Sequence, residues 1–320
     1  MSLDFILIII GFIILIKGSD LLVKAATSVA NKFRLSEMLI GLTILAIGTS
    51  LPEIFITIKS SLDIHSELII GDAIGSCICN FLLVIGISSF ITPVKLDKRV
   101  VNRHLPIAMI IIVIILYLGN LGKQINEITR WQGAFLLLCA VIYIIYSIYE
   151  EKVIYNKKIE DKIAKSVKTK EEYSTKKIII FFILGILGLK FGADFVVDNS
   201  ILIASKLGLT ERFIGMTIVA IGTSLPEIIT SIISARKKET ELLVGNVIGS
   251  NIINLCVLIG LGAIINPLTF ISDFNIPIII LLLTTIFIQL IALFNKRNEI
   301  NWKIGIILIV SYIVYIINII

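Results

Sequence analysis

Histidine is almost missing from this 320-residue chain, at two residues, and only 16% of its residues are charged. A soluble domain carries about a quarter charged residues, so the shortage already points away from water. No His-Glu-x-x-His stretch and no Gly-rich nucleotide loop occurs, which argues against a zinc hydrolase and an ATP-driven device. The spans hold no nucleophile with a Lys or His base either, so an intramembrane enzyme is not expected. The four cysteines (Cys77, Cys79, Cys139 and Cys256) all fall inside apolar runs. Cys77 and Cys79 form C-x-C with no second pair, and read as small buried hydrophobes rather than zinc ligands.

What is abundant is apolar: 57% of residues are hydrophobic. Ten apolar segments stand out, at roughly 4–28, 37–59, 67–91, 105–121, 131–149, 178–204, 211–235, 241–265, 275–294 and 302–320. A span needs about 20 apolar residues, so the expectation is an all-α polytopic membrane protein with ten transmembrane helices. The apolar N-terminus lacks a basic leader and a small-residue cleavage site, and reads as the first span. A charged linker, 150–177, read as open to partial helix, separates residues 1–149 from 178–320. One set of alternate loops carries Lys32, Arg34, Lys95, Lys98, Arg99, Arg103, the linker lysines, Arg236, Lys237, Lys238, Lys296, Arg297 and Lys303. The other carries only Lys59, Lys123, Arg130, Lys206 and Arg212. Cytoplasmic loops hold the Lys/Arg excess, so both termini are expected outside and the linker in the cytoplasm, where it can touch anionic lipid. The net charge of +6 reflects these loops, not a nucleic-acid partner. No obligatory protein partner is evident.

The chain is duplicated. Displaced by 174 residues, EMLIGLTILAIGTSLPE (Glu37 to Glu53) falls on ERFIGMTIVAIGTSLPE (Glu211 to Glu227), and GDAIGSCICN (Gly71 to Asn80) on GNVIGSNIIN (Gly245 to Asn254). Gly18, Asp20, Gly86 and Pro93 land on Gly192, Asp194, Gly260 and Pro267. Each unit has five expected spans, an odd number, so the second copy enters the membrane inverted. Inverted repeats typify secondary transporters, with the substrate near the midplane between the copies. They argue against a channel assembled by rotation of subunits.

In each copy Gly-Thr-Ser-Leu-Pro-Glu sits in mid-span. Pro52 and Pro226 break the helix, which is expected to turn carbonyls near Ala46 and Ala220 aside. Thr49, Ser50, Thr223 and Ser224 add hydroxyls there. Glu53 and Glu227 are costly at that depth, about 2.5–3.5 kcal/mol each on insertion scales. A divalent cation between them removes the repulsion, and calcium takes six to eight oxygens. Ser76 with Asn80, and Ser250 with Asn254, are four apart and share a helix face. Such a site has hard oxygens only, which suits sodium and calcium and not zinc or copper. Proline kinks and G-x-x-x-G rows are common in membrane helices and mean little alone. A duplicated mid-span glutamate is another matter.

At these residues the sequence resembles the sodium/calcium exchanger branch of the calcium/cation antiporters, in its compact prokaryotic form without a large regulatory loop. The resemblance implies a sodium-for-calcium antiporter in which two long tilted helices slide past an eight-helix core. It implies that Glu53, Glu227, Thr49 and Thr223 ligate calcium. Ser50, Ser76, Ser224 and Ser250, with the carbonyls of Ala46 and Ala220, would complete sodium sites, and Asn80 and Asn254 would line the middle. The transported ions are calcium and sodium, and no cofactor is implied. Asn254 stands where potassium-dependent relatives carry aspartate, and Ser-Leu-Pro-Glu where proton-coupled relatives carry Gly-Asn-x-x-Glu. Both departures favour sodium coupling alone, with calcium/proton or potassium-dependent sodium/calcium exchange as the alternative. Asp72, whose counterpart is Asn246, is left open between a cation site, a proton site and a vestibule. The pairs Lys17–Asp20, Asp20–Lys24 and Lys190–Asp194 have helical spacing for local ion pairs. His65 and His104 are expected at loop edges in solvent.

Overall fold

The computed structural model describes residues 2–33, 35–121, 126–161, 173–207, 220–295 and 298–319. Helix is the rule, because a backbone in lipid must satisfy its own hydrogen bonds. In chain order the helices are α1 (Ser2–Phe33), α2 (Glu37–Thr49), α3 (Leu51–Leu62), α4 (Ser66–Ile91), α5 (Val100–Asn120) and α6 (Arg130–Asp161). Then follow α7 (Thr175–Lys206), α8 (Ala220–Thr223), α9 (Leu225–Arg236), α10 (Thr240–Ile265), α11 (Asn275–Phe294) and α12 (Trp302–Ile319).

Among the described residues seven helices are long and apolar enough to cross a membrane: α1, α4, α5, α6, α7, α10 and α11. The bent pair α2–α3, kinked by 46°, makes an eighth. The expected seventh span starts at 211, and 211–219 lie outside the described residues; α8 and α9 are its remainder. The expected tenth is α12, a shorter apolar helix.

The core sits around α4 and α10, whose most apolar windows are 72% and 78% buried, against 28–44% for the other five. Those five turn leucine and isoleucine outward, as lipid-facing helices do. α10 packs on α2 backbone to backbone: a Cβ on Gly245 would meet Met38 O at 2.5 Å, and one on Gly249 would meet Leu42 O at 2.6 Å. α1 and α7 run antiparallel along a glycine seam, Gly11 against Gly192 and Gly18 against Gly188. Two short antiparallel ladders join the halves: β1 (Val94–Lys95) pairs β4 (Glu299–Ile300), and β2 (Glu127–Ile128) pairs β3 (Leu268–Thr269).

Three local expectations meet the structure differently. α6 runs beyond the expected end at 149 to Asp161, so the first part of the charged linker is helix; residues 162–172 of it lie outside the described residues. α5 begins at Val100, not 105, with a π-helical turn over Val100–His104. That places His104 inside the bundle against α6 and not in solvent. It is buried, with Nδ1 3.1 Å from Tyr143 Oη and Nε2 3.3 Å from Glu150. Asp20 holds Lys24 at 2.8 Å and, from α9's end, Lys237 at 2.7 Å, and Lys190 pairs with Asp194 at 2.9 Å.

The next carboxylate along α6 anchors α2. Ser36 caps α2, its Oγ accepting the Leu39 N–H at 3.1 Å, while Glu151 accepts both the Ser36 N–H and Oγ–H at 2.8 Å. Arg99 donates to the same carboxylate at 3.3 Å. Glu151→Ala is expected to cost about 1–2 kcal/mol, since it strands a cap donor and a buried charge. In a thermal melt of the purified protein this reads as a fall of about 2 °C or more; an unchanged melt would mean that water replaces the carboxylate.

Candidate ion-binding site

The two helix breaks have the same backbone. Ser50 lies at φ −85°, ψ 4° and Ser224 at φ −85°, ψ 1°, in the sparsely used bridge region. Each is followed by a fresh helix with proline in its first turn, where no N–H is needed. The glutamate next to that proline therefore sits at a new helix N-terminus deep in the bundle. The partial positive charge of that end favours a carboxylate by about 0.3–1 kcal/mol. It offsets only part of the cost of burying the charge.

Around the breaks the hydroxyls and amides of the two halves interlock. Thr49 Oγ1 lies 3.3 Å from each of Ala46 O, Asn246 Oδ1 and Ser250 Oγ. Ser50 Oγ donates to Glu227 Oε1 at 3.3 Å. Thr223 Oγ1 donates to Asp72 Oδ1 at 3.0 Å, and Ser224 Oγ to Ser76 Oγ at 3.2 Å. Asn80 Nδ2 donates to Asn251 Oδ1 at 2.9 Å. Asp72 thus shares hydrogen bonds with two of the expected site residues, Thr223 and Ser76.

Nine of the twelve expected site residues are joined by their side chains: Thr49, Ser50, Ser76, Asn80, Thr223, Ser224, Glu227 and Ser250 through the bonds above, and Glu53 as the carboxylate neighbour of Glu227 and Asp72. Asn254 is buried with both amide atoms unpartnered among the described residues. The break does not leave the Ala46 carbonyl bare, because it still accepts the Ser50 N–H at 3.0 Å. The N–H that Pro52 lacks is the one that would have reached Gly48. Thr49 has one hydroxyl proton for three acceptors, so Ala46 keeps lone-pair capacity. Ala220 opens α8, at the edge of the described residues.

Two features escaped the sequence reading. Asn251 binds Asn80 and, through Nδ2, the Cys77 carbonyl at 3.3 Å; its only signal was an asparagine in an apolar span. Asn80 and Asn254 each begin a π-helical turn, Asn80–Val84 and Asn254–Leu258. Such turns widen the helix locally and recur at functional sites.

The chemistry follows from what is left unsatisfied. Glu53 is fully buried and neither carboxylate oxygen has a partner among the described residues; Glu227 Oε2, Asp72 Oδ2, Asn80 Oδ1 and Asn254 Oδ1 are equally bare. Buried polar groups without partners cost several kcal/mol. Oxygen donors alone suit a hard cation, and no group of three His, Cys, Asp or Glu side chains poised for a metal occurs among the described residues.

A multi-pass helical bundle with bare carboxylates at its centre is the architecture of a membrane cation antiporter. The chain belongs to the family described as sodium/calcium exchanger protein, whose pattern matches residues 3–149 and 177–320. It is 28% identical to the sodium/calcium exchanger MaX1 of Methanosarcina acetivorans, over 99% of this chain and 98% of that one. It is 31% identical to the inner membrane protein YrbG of Escherichia coli, over 86% and 85%. In three dimensions it resembles the sodium-calcium exchanger NCX_Mj, solved after soaking without sodium or calcium, at TM-score 0.82 and 29% identity over 99% of both chains.

Proposed function

We propose that this protein exchanges sodium for calcium by alternating access, with Glu53 and Glu227 as the carboxylates for which the two ions compete. The observation that carries the reading is the bare, buried carboxylate of Glu53 beside Glu227. Two uncompensated charges cannot cross an apolar bundle cheaply. Only a site filled by one calcium or by several sodium ions lets the surrounding helices move past it, and that requirement couples the two fluxes without ATP. In this reading ten spans form two inverted five-helix repeats, with α8, α9 and α12 contributing to the second, both termini outside and the linker in the cytoplasm. Glu53, Glu227, Thr49 and Thr223 take calcium. Ser50, Ser76, Ser224 and Ser250, with the Ala46 and Ala220 carbonyls, take sodium, and Asn80 and Asn254 line the middle. The antiparallel pair α1–α7 is the moving element. Its two most apolar windows are only 33% and 28% buried, and its glycine seam holds the two helices to each other as one unit.

The test is radioactive calcium uptake into proteoliposomes loaded with sodium and diluted into sodium-free buffer. Uptake is expected only with the outward sodium gradient, and potassium on either side is expected to change the rate by less than about twofold, an energy of about 0.4 kcal/mol. Uptake that follows an imposed pH gradient and ignores sodium would keep the fold and make the coupling ion a proton.

A further inference from the structure

Asp72 breaks the duplication at the centre of the site. Its counterpart 174 residues on is Asn246, and the two occupy mirrored contacts. Thr223 Oγ1 donates to Asp72 Oδ1 at 3.0 Å, while Thr49 Oγ1 donates to Asn246 Oδ1 at 3.3 Å. Past that bond the two ends differ. On one side the remaining buried atom is a carboxylate oxygen, Asp72 Oδ2; on the other it is an amide nitrogen, Asn246 Nδ2, and neither has a partner among the described residues. A cation is drawn to the first and turned away by the second.

The surroundings of Asp72 are those of a small cation site. Ser76 Oγ donates to Asp72 Oδ1 at 3.5 Å and accepts from Ser224 Oγ at 3.2 Å. One carboxylate and three hydroxyls thus share one corner of the bundle. Glu53 is the adjacent side chain, fully buried with both oxygens bare. The charge of Asp72 reaches both glutamates, yet no three acidic side chains among the described residues converge on a single metal position. Asp72 is therefore no third carboxylate to the pair of glutamates. One charge with a few neutral oxygens undersupplies calcium, which takes six to eight ligands and favours several carboxylates. It matches a singly charged ion.

We propose that Asp72 adds a charged ligand to the sodium-binding hydroxyls of Ser76 and Ser224, beside Thr223, at one end of the ion site only, so that sodium loads this end more tightly than the Asn246 end. The inference rests on the exchange reading above for its role in transport, but binding can be read without transport. Sodium is titrated calorimetrically into the purified wild-type, Asp72→Asn and Asn246→Asp proteins, and calcium in a parallel series. Asparagine at 72 keeps an acceptor for Thr223, so a merely structural role would leave binding unchanged. Asp72→Asn is expected to weaken sodium binding about tenfold and calcium binding less than about threefold. Asn246→Asp is expected to strengthen sodium binding. Unchanged sodium affinity in Asp72→Asn, or equal loss for both ions, would overturn the subsite. A wild-type protein that binds sodium as described but takes up no calcium would instead sink the exchange reading and leave the titration decisive for Asp72.

Discussion

Proteins carrying Glu53→Gln or Glu227→Gln are expected to lose sodium-dependent calcium uptake by about 100-fold or more, the equivalent of at least about 2.7 kcal/mol. Glutamine keeps the shape of the side chain and removes the charge, and calcium affinity is set largely by the count of charged ligands. The same substitutions are expected to raise the melting temperature in ion-free buffer. Each takes away a buried carboxylate with at least one unpartnered oxygen, both for Glu53 and Oε2 for Glu227, a group that burdens the empty fold. The stabilisation is about 1–2 kcal/mol, or a few degrees. Loss of uptake together with a higher melting temperature separates a functional carboxylate from a structural one. A structural role would lower both.

The second large effect is expected outside the proposed ligand set, at the seam between α1 and α7. A Cβ on Gly188 would stand 2.8 Å from Gly18 Cα, and one on Gly18 would stand 2.9 Å from Gly188 backbone carbon. No rotamer relieves a clash between two backbones. Gly188→Leu must push the helices apart, at about 3 kcal/mol, and opens the small-residue contact on which close helix packing in lipid depends. The purified variant is expected to melt about 6 °C or more below wild type. Leu184→Ala, on a lipid-facing position of the same helix, should change the melt by less than about 2 °C. Equal melts for Gly188→Leu and wild type would show that α1 and α7 do not depend on the seam.

Much of this architecture was legible before any coordinates. Apolar runs of span length and a gapless duplication are long-range patterns, and they place most of the described helices and both proline breaks, although α6 runs on to Asp161. Glu53 and Glu227 were legible because a carboxylate in an apolar span stands out against everything around it. The misses share one cause. Where a helix begins, or which face it turns inward, is decided by the neighbour it packs on. The early start of α5, which buries His104 against Tyr143 and Glu150, depends on α6. The π-helical turns at Asn80 and Asn254 carry no motif of their own. Asp72 was visible as an asymmetry, but only the bond from Thr223 across 151 residues of chain ties it to the site.

The central claim is that calcium and sodium neutralise the same two glutamates and therefore exclude each other. The most direct measurement is a calorimetric titration of calcium into the purified wild-type protein at a series of sodium concentrations, ionic strength held with choline. The account predicts that calcium affinity falls steeply as sodium rises, with more than one sodium displaced per calcium bound, and that the Glu227→Gln protein shows no such competition because its calcium affinity is already lost. Calcium affinity that stays constant across the sodium series would mean two independent sites, and would contradict the account.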